Sequence, residues 1–153
     1  MQEKVYKFVE NQVKNKNIFI NKVLDIGSLD INGCLRPLFS AYNYIGLDKT
    51  AGKNVDVVAN SHSIPFSDNS FDVVCAVEML EHDDNPFLTM DEIYRVLKPN
   101  GWCIITASGI SFGYHNPPDY WRFTADGFGV LLKKFRNTDI FSDTNEVYGV
   151  GQK

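Results

Sequence analysis

Hydrophobic positions along the chain fall into two kinds of pattern. Residues 3–19 carry Val5, Phe8, Val9, Val13, Ile18 and Phe19 at roughly helical spacing, which predicts an amphipathic entry helix within the first 20 residues. Near-continuous apolar runs follow, and several stop at a glycine or an acidic residue: VLDIG, YIGLD, VDVVA, FDVVCAVEM and WCIITAS. They predict strands at 22–26, 44–48, 55–59, 71–79 and 102–108, buried on both faces. Helical spacing returns at 84–97 through Phe87, Leu88, Met90, Ile93, Tyr94 and Leu97, and the KPNG segment ends that helix. A second helix is expected after Thr124, its N-cap, with Phe128, Leu131, Leu132 and Phe135 on the apolar face. The segments TDIFSD and EVYGVG predict a closing antiparallel hairpin, and 33–41 has room for a short helix.

Strands that are apolar throughout, with helices between them, predict an α/β fold. The expected form is a Rossmann-like doubly wound sheet, mostly parallel and covered on both faces. The helices are pared down. Six residues, 49–54, join the second and third strands, too few for a crossover helix. They span about 20 Å when extended, enough to run back along a short strand. Residues 60–70 leave no room for a full helix either. The expected organisation is a single domain over 1–153, with 111–123 as an aromatic-rich loop over the site.

Composition narrows the function classes. The chain is 44% hydrophobic and 22% charged, with a mean hydropathy of −0.21, as in soluble globular proteins. A net charge of −4 argues against nucleic acid as a partner held by a basic surface. No apolar run approaches the roughly 18 residues of a membrane span, and the first residues lack the apolar core of a signal peptide. Cys34, Cys75 and Cys103 are odd in number and lack metal-ligand spacing, so no metal is expected, and a reduced, cytoplasmic setting is. Cys75 and Cys103 fall in apolar runs, as small hydrophobes do.

Two features point to an adenosine-containing ligand. Asp25-Ile26-Gly27 ends the first strand in a sharp turn that presents backbone N–H groups, although an ordinary strand-to-helix turn has the same need for glycine. Asp48 ends the next strand about 20 residues on, where a carboxylate can accept from both ribose hydroxyls; an ordinary turn aspartate is the plainer reading. Neither the G-x-G-x-x-G pattern of dinucleotide sites nor the G-x-x-x-x-G-K-[ST] pattern of triphosphate sites is present.

The series VLDIGS, YIGLD, VDVVANSHSIPFSDNSFDVVCAVEMLEH and EIYRVLKPNGWCIITAS resembles the class I S-adenosylmethionine-dependent methyltransferases, in particular the type 11 small-molecule group. The likeness runs from about Val23 to Ser108. It implies S-adenosylmethionine as cofactor, with Asp25, Gly27 and Ser28 at the turn that holds its methionine part. By the same likeness Asp48 binds the ribose, Asn60 and Ser61 lie at the adenine, and Glu78 and Met79 stand where sulfonium and substrate meet. Asn60 replaces the usual aspartate, and Leu29 and Ile31 replace the family's later glycines.

Methyl transfer from a sulfonium needs alignment and exclusion of water; a base is needed only when the acceptor must lose a proton. Candidates for that base lie in two places: Glu81-His82 after the fourth strand, and His115, Asp119 and Tyr120 in the loop after the last parallel strand, with His82, His115 and Tyr120 the first expectations. Glu81 and His82 could instead simply open the next helix. Arg122 could clamp an anionic substrate or pair with Asp119 or Asp126, and Tyr114, Tyr120, Trp121 and Phe123 could wall the site or pack the loop. Asn116-Pro117-Pro118-Asp119 is similar to an adenine-amino methyltransferase motif acting on DNA. That motif belongs at the end of the fourth strand, and here it follows the fifth. The expected function is therefore methyl transfer to a small molecule, with a sugar or other hydroxyl as first expectation. The alternative is a non-catalytic or regulatory binder of the cofactor with a decayed site. Oligomeric state carries no signal.

Overall fold

The computed structural model describes residues 2–113 and 118–153. Its elements in chain order are α1 (Glu3–Asn15), β1 (Lys22–Ile26), β2 (Asn43–Asp48), β3 (Val57–Val58), β4 (Phe71–Val77), a 3₁₀ turn (Leu80–His82), α2 (Pro86–Val96), β5 (Leu97–Ser108), α3 (Ala125–Leu131), β6 (Arg136–Ser142) and β7 (Glu146–Gln152). One seven-stranded sheet has the order β3-β2-β1-β4-β5-β7-β6. β1 pairs in parallel with both β2 and β4, while β7 runs antiparallel between β5 and β6. The doubly wound, mostly parallel sheet with a closing antiparallel pair is as expected; the insertion of β7 between β5 and β6 had no sequence signal.

The continuous apolar runs are explained by two cores. Along β1, Val23 faces one side and Leu24 the other; along β4, Val73 and Cys75 face one side, Val74 and Ala76 the other. The first side is covered by Val5, Phe8 and Val9 of α1 together with Leu35 and Phe39. The second is covered by Met90, Ile93 and Val96 of α2 and by Phe128 and Leu131 of α3. Strands with a helix on each face cannot show polar alternation.

Several boundaries differ from expectation for local reasons. α1 stops at Asn15 because Asn17 turns left-handed (φ 46°), and 18–20 run extended into β1. No helix forms over 33–41; the chain there makes successive i to i+3 turns at Leu38, Phe39 and Tyr42 that drop Leu35 and Phe39 into the core. β3 shrinks to two residues because Asp56 pairs with β2 through its own carboxylate, which accepts from Gly46 N–H at 2.7 Å. α3 ends at Leu131, and a turn rather than a helix carries Phe135 into the core. Thr124 caps α3 as expected, its hydroxyl accepting from Gly127 N–H at 2.9 Å.

The entrance to the sheet is tied by Asp72. One carboxylate oxygen accepts from the N–H groups of Asn21 and Lys22 at 3.0 and 2.8 Å, and the other from Lys98 Nζ at 2.8 Å. Burial alone would raise its pKa, but these donors outweigh burial and hold it below the usual range. Asp72→Ala strands two N–H groups and the ammonium, so a loss of about 2–3 kcal/mol is expected. Urea unfolding checks this: the midpoint should fall with an unchanged slope, and an unchanged midpoint would remove Asp72 from this role.

Candidate functional site

The carboxyl ends of β1, β2 and β4 open into a cavity of about 640 Å³, within the roughly 300–1,000 Å³ of small-ligand pockets. Asp25, Gly27, Ser28, Asp48, Asn60, Ser61, Glu78, Met79, His82 and Tyr120 all line it. His115, with Tyr114, Asn116 and Pro117, lies outside the described residues.

Gly27 makes the floor. Its φ is +77°, and a Cβ there would stand 2.6 Å from that of Met79, so only glycine fits between β1 and the end of β4. The N–H groups of Gly27 and Ser28 both donate to Leu47 C=O, at 2.9 and 3.1 Å. The turn therefore offers shape rather than the free N–H donors expected of it. Asp25 is buried beneath the turn and accepts from the Tyr44 hydroxyl, which also accepts from Asn54 Nδ2 at 3.1 Å. Burial pushes Asp25 up to about 7. The Ser28 hydroxyl points back to Asn54 C=O, at 3.4 Å. Both side chains brace the turn from below.

Asp48 is half-buried at the end of β2. One of its oxygens accepts from Thr50 N–H at 2.9 Å and the other from Leu29 N–H at 3.3 Å. Each carboxylate oxygen accepts more than one donor, so both can still take a hydroxyl of a vicinal diol. Asn60 is exposed, and its carbonyl oxygen is spent on His62 N–H at 2.9 Å, leaving the amide NH₂ as the group it can offer. Ser61 Oγ lies 2.8 Å from Thr89 Oγ1, whose own proton goes to the Asp83 carboxylate, so Ser61 is the donor.

β4 ends because Glu78 takes a left-handed φ of 50°. That turn aims Glu78 across the cavity, where its carboxylate accepts from Gln2 Nε2 at 3.3 Å. Glu81 and His82 do not open α2, which starts separately at Pro86; they form a 3₁₀ turn of their own. His82 Nδ1 lies 2.5 Å from Pro118 C=O. A carbonyl only accepts, so that nitrogen carries the proton. Tyr120 and Trp121 donate their N–H groups to Glu81 C=O at 2.8 and 3.3 Å, which seats the loop on this turn.

The aromatic residues divide between roles. Tyr120 is exposed and lines the cavity, Trp121 Nε1 donates to Asp83 C=O at 2.7 Å, and Phe123 is buried against Phe128. Arg122 grips both oxygens of Asp119 at 2.6 and 2.7 Å and also donates to Phe112, Gly113 and Trp121 carbonyls. The pairing reading holds for Arg122, and a substrate clamp is incompatible with it.

Two buried acids stand out at this end of the site: Glu81, beside the candidate His82, and Glu146, which no motif announced. Glu81 and Glu146 are 2% and 1% exposed, and each has one oxygen, Oε2, with no hydrogen-bond partner. Their other oxygens accept from Ser108 Oγ at 2.8 Å and Gln2 Nε2 at 2.9 Å. Burial first, then the neighbouring carboxylates, push Glu146 up to about 7; Glu81 is also raised, chiefly by burial. His62 Nε2 lies 2.6 Å from buried Asp83 and 3.7 Å from Asp84. Ligand atoms of these three lie within 4.8 Å of one another, but Asp83 is already engaged by His62, Thr89 Oγ1 and Asn85 N–H. The only sequence signal for Glu146 was its place at the start of the last strand, opposite Ser108.

With this geometry described, relatives can be compared. A family model described as a methyltransferase domain matches residues 39–105. A SAM-dependent methyltransferase of Thermotoga maritima superposes with a TM-score of 0.73 at 18% identity, covering 97% of this chain and 91% of its own. Over residues 39–105 the chain is therefore similar to methyltransferase domains, and its fold is that of S-adenosylmethionine-dependent methyltransferases. Phosphoethanolamine N-methyltransferase 2 of Haemonchus contortus, solved with S-adenosyl-L-methionine, has the same fold (TM-score 0.70, 18% identity, 95% of this chain and 52% of that one). Among curated relatives, cycloartenol-C-24-methyltransferase 1 of Oryza sativa subsp. japonica is 38% identical over 107 residues, or 54% of this chain. The chain spans only 31% of that enzyme's length. Among the described residues, no helix is long and apolar enough to cross a membrane.

The buried acids carry a pH signature. Asp25 and Glu146 have folded pKa values near 7, above their unfolded values near 4, so the unfolded chain releases their protons first. Their contribution to stability is full below about pH 4 and is lost as pH rises through about 7. Each group contributes a slope of about 1.4 kcal/mol per pH unit inside that window. Asp25→Asn and Glu146→Gln are each expected to flatten the fall in stability between about pH 5 and pH 7. Urea unfolding across that range measures it, and an unchanged slope in both variants would place these carboxyls in contact with water.

Proposed function

We propose that this domain transfers a methyl group from S-adenosylmethionine to a small-molecule acceptor. The reading is carried by one juxtaposition on a single cavity wall: the two-oxygen acceptor Asp48 and the floor where Gly27, bare of a side chain, passes close to Met79. Asp48 would take the ribose diol, Asn60 and Ser61 the adenine edge, and the surface over Gly27 and Met79 the thioether region. The fit is good on the residues present. A diol needs an acceptor with two oxygens, and a side chain at Gly27 would fill the space. When bound, the cofactor supplies a methyl group on a positively charged sulfur.

The chain's own residues then position and shield. Glu78, Glu81, His82, Ser108 and Tyr120 line the cavity at the ends of β4 and β5, where an acceptor would approach. Pro118, Tyr120 and Trp121, hydrogen-bonded to Glu81 and His82, would border the acceptor on this side and shield it from water. For a hydroxyl acceptor, His82, His115 or Tyr120 would serve as the base. The relatives above include enzymes named for carbon and for nitrogen acceptors, cycloartenol-C-24-methyltransferase 1 and phosphoethanolamine N-methyltransferase 2. No observation favours the non-catalytic alternative.

S-adenosylhomocysteine is expected to raise the melting temperature, while NAD and ATP do not, since no pyrophosphate cradle is present. A ligand at a hundredfold excess over Kd stabilises by about 2.7 kcal/mol. Asp48→Ala is expected to weaken S-adenosylhomocysteine binding about tenfold or more, by the loss of charge-assisted hydrogen bonds to the diol. Calorimetry reads the change; an unaltered Kd in the folded variant would move the ribose elsewhere.

A further inference from the structure

We propose that the acceptor is a small amine, received as its ammonium by Glu81 in the cavity wall and Glu146 behind it. This rests on the methyltransferase reading of the site and adds the chemical class of its second substrate. A buried carboxylate oxygen without a partner among the described residues is costly, and there are two where β4 and β5 end and β7 begins. Glu81 belongs to the cavity wall and is held by Ser108 Oγ from the end of β5. Glu146 stands directly across the strand pair from Ser108 and reaches Glu78 through the shared amide of Gln2. Lys4 and Arg122 act on these acids only through space, and no cation among the described residues donates to either free oxygen; a ligand can supply one that does.

The rest of the described wall agrees in sign. Its acids are Asp25, Asp48, Glu78, Glu81, Asp83 and Asp84, against Lys49 as the lone lysine or arginine. The nearby arginine, Arg122, is consumed by Asp119 and three backbone carbonyls. An acceptor presented as a phosphate or carboxylate would meet repulsion there, and a neutral hydroxyl would leave the carboxylates unpaired. Phe112 and Tyr120 also belong to the wall, and aromatic rings attract an ammonium.

The same carboxylates can prepare the nucleophile. An ammonium has no lone pair; one proton passes from its nitrogen to a carboxylate oxygen, giving a neutral amine and a carboxylic acid, with no other bond changed. The raised proton affinity of both groups, caused by burial, suits that exchange near neutral pH. Glu81 and Glu146 are thus assigned recognition and proton acceptance, a role that His82, His115 and Tyr120 would hold for a hydroxyl.

Sinefungin tests this by binding alone. It carries an ammonium-bearing carbon where S-adenosylhomocysteine has a neutral sulfur, and so places a cation at the point of transfer. Calorimetric titrations of both ligands would be run on the wild type, Glu81→Gln and Glu146→Gln. The wild type is expected to prefer sinefungin by about tenfold or more, from a charge-assisted contact. Either substitution should remove most of that preference and leave S-adenosylhomocysteine affinity within about twofold, since neither residue lies at the adenosine end. Equal binding of the two ligands by the wild type, or a preference untouched by both substitutions, would overturn the proposal. Stabilisation by magnesium chloride that both substitutions abolish, with no sinefungin preference, would overturn it in favour of a metal site. If neither ligand binds, the methyltransferase reading itself falls, and this one with it.

Discussion

The position of β1 between β2 and β4 is the constraint on which the site depends. The chain leaves β1 towards β2 on one side, and the sheet resumes with β4 on the other. The loops after β1 and β4 therefore diverge from a common line, and a crevice at the carboxyl ends of parallel strands is the geometric result. Both pairings are in register to the last residues, with Ile26 beside Leu47 and Ala76, so the turn at Gly27 begins level with its neighbours. Gly27 can pass Met79 only because it has no side chain. Asp48, one residue beyond the Leu47 that receives the Gly27 and Ser28 N–H groups, is placed at the rim by the same hydrogen bonds.

That constraint has an electrostatic consequence. Strand ends crowd acidic side chains into a small volume, and the protein deals with them in two ways. Asp72, at the opposite end of β4, is supplied with two N–H donors and a lysine. At the cavity end, Glu81 and Glu146 each have a single donor and an unpartnered oxygen. The contrast separates an acid that fastens the fold from acids held at a cost in stability, which is where functional sites are found. Asp25 lies between these cases: it is buried, with Tyr44 as its hydrogen-bond donor, and supports the turn from beneath.

Much of this was legible in the sequence because apolar runs report burial on both faces, and the Asp-x-Gly turn and the strand-end aspartate report local geometry. Asp25, Gly27 and Asp48 follow from that logic; Asn60, Glu78 and Met79, which only the family likeness pointed to, line the same cavity. What was not legible depends on long-range pairing. The turns at 33–41 are dictated by the need to bury Leu35 and Phe39 against α1, which local spacing does not encode. Glu146 meets Ser108 only because β7 inserts between β5 and β6, and Gln2 reaches the same acids from the other end of the chain. The direction of side chains was hidden as well: Asp25 and Ser28 fall on the expected loop yet point beneath it. Arg122 was open between two partners until Asp119 was seen to fill its fork.

The central claim is that one adenosine ligand lies across the ends of β1, β2 and β4 with its sulfur towards the acids. A crystal structure of the domain with S-adenosylhomocysteine tests it most directly. The account expects both ribose hydroxyls on the two oxygens of Asp48, the adenine beside Asn60 and Ser61, and the thioether over Gly27 and Met79, facing Glu78 and Glu81. A ligand in the reverse orientation, or one bound away from Asp48, would contradict it.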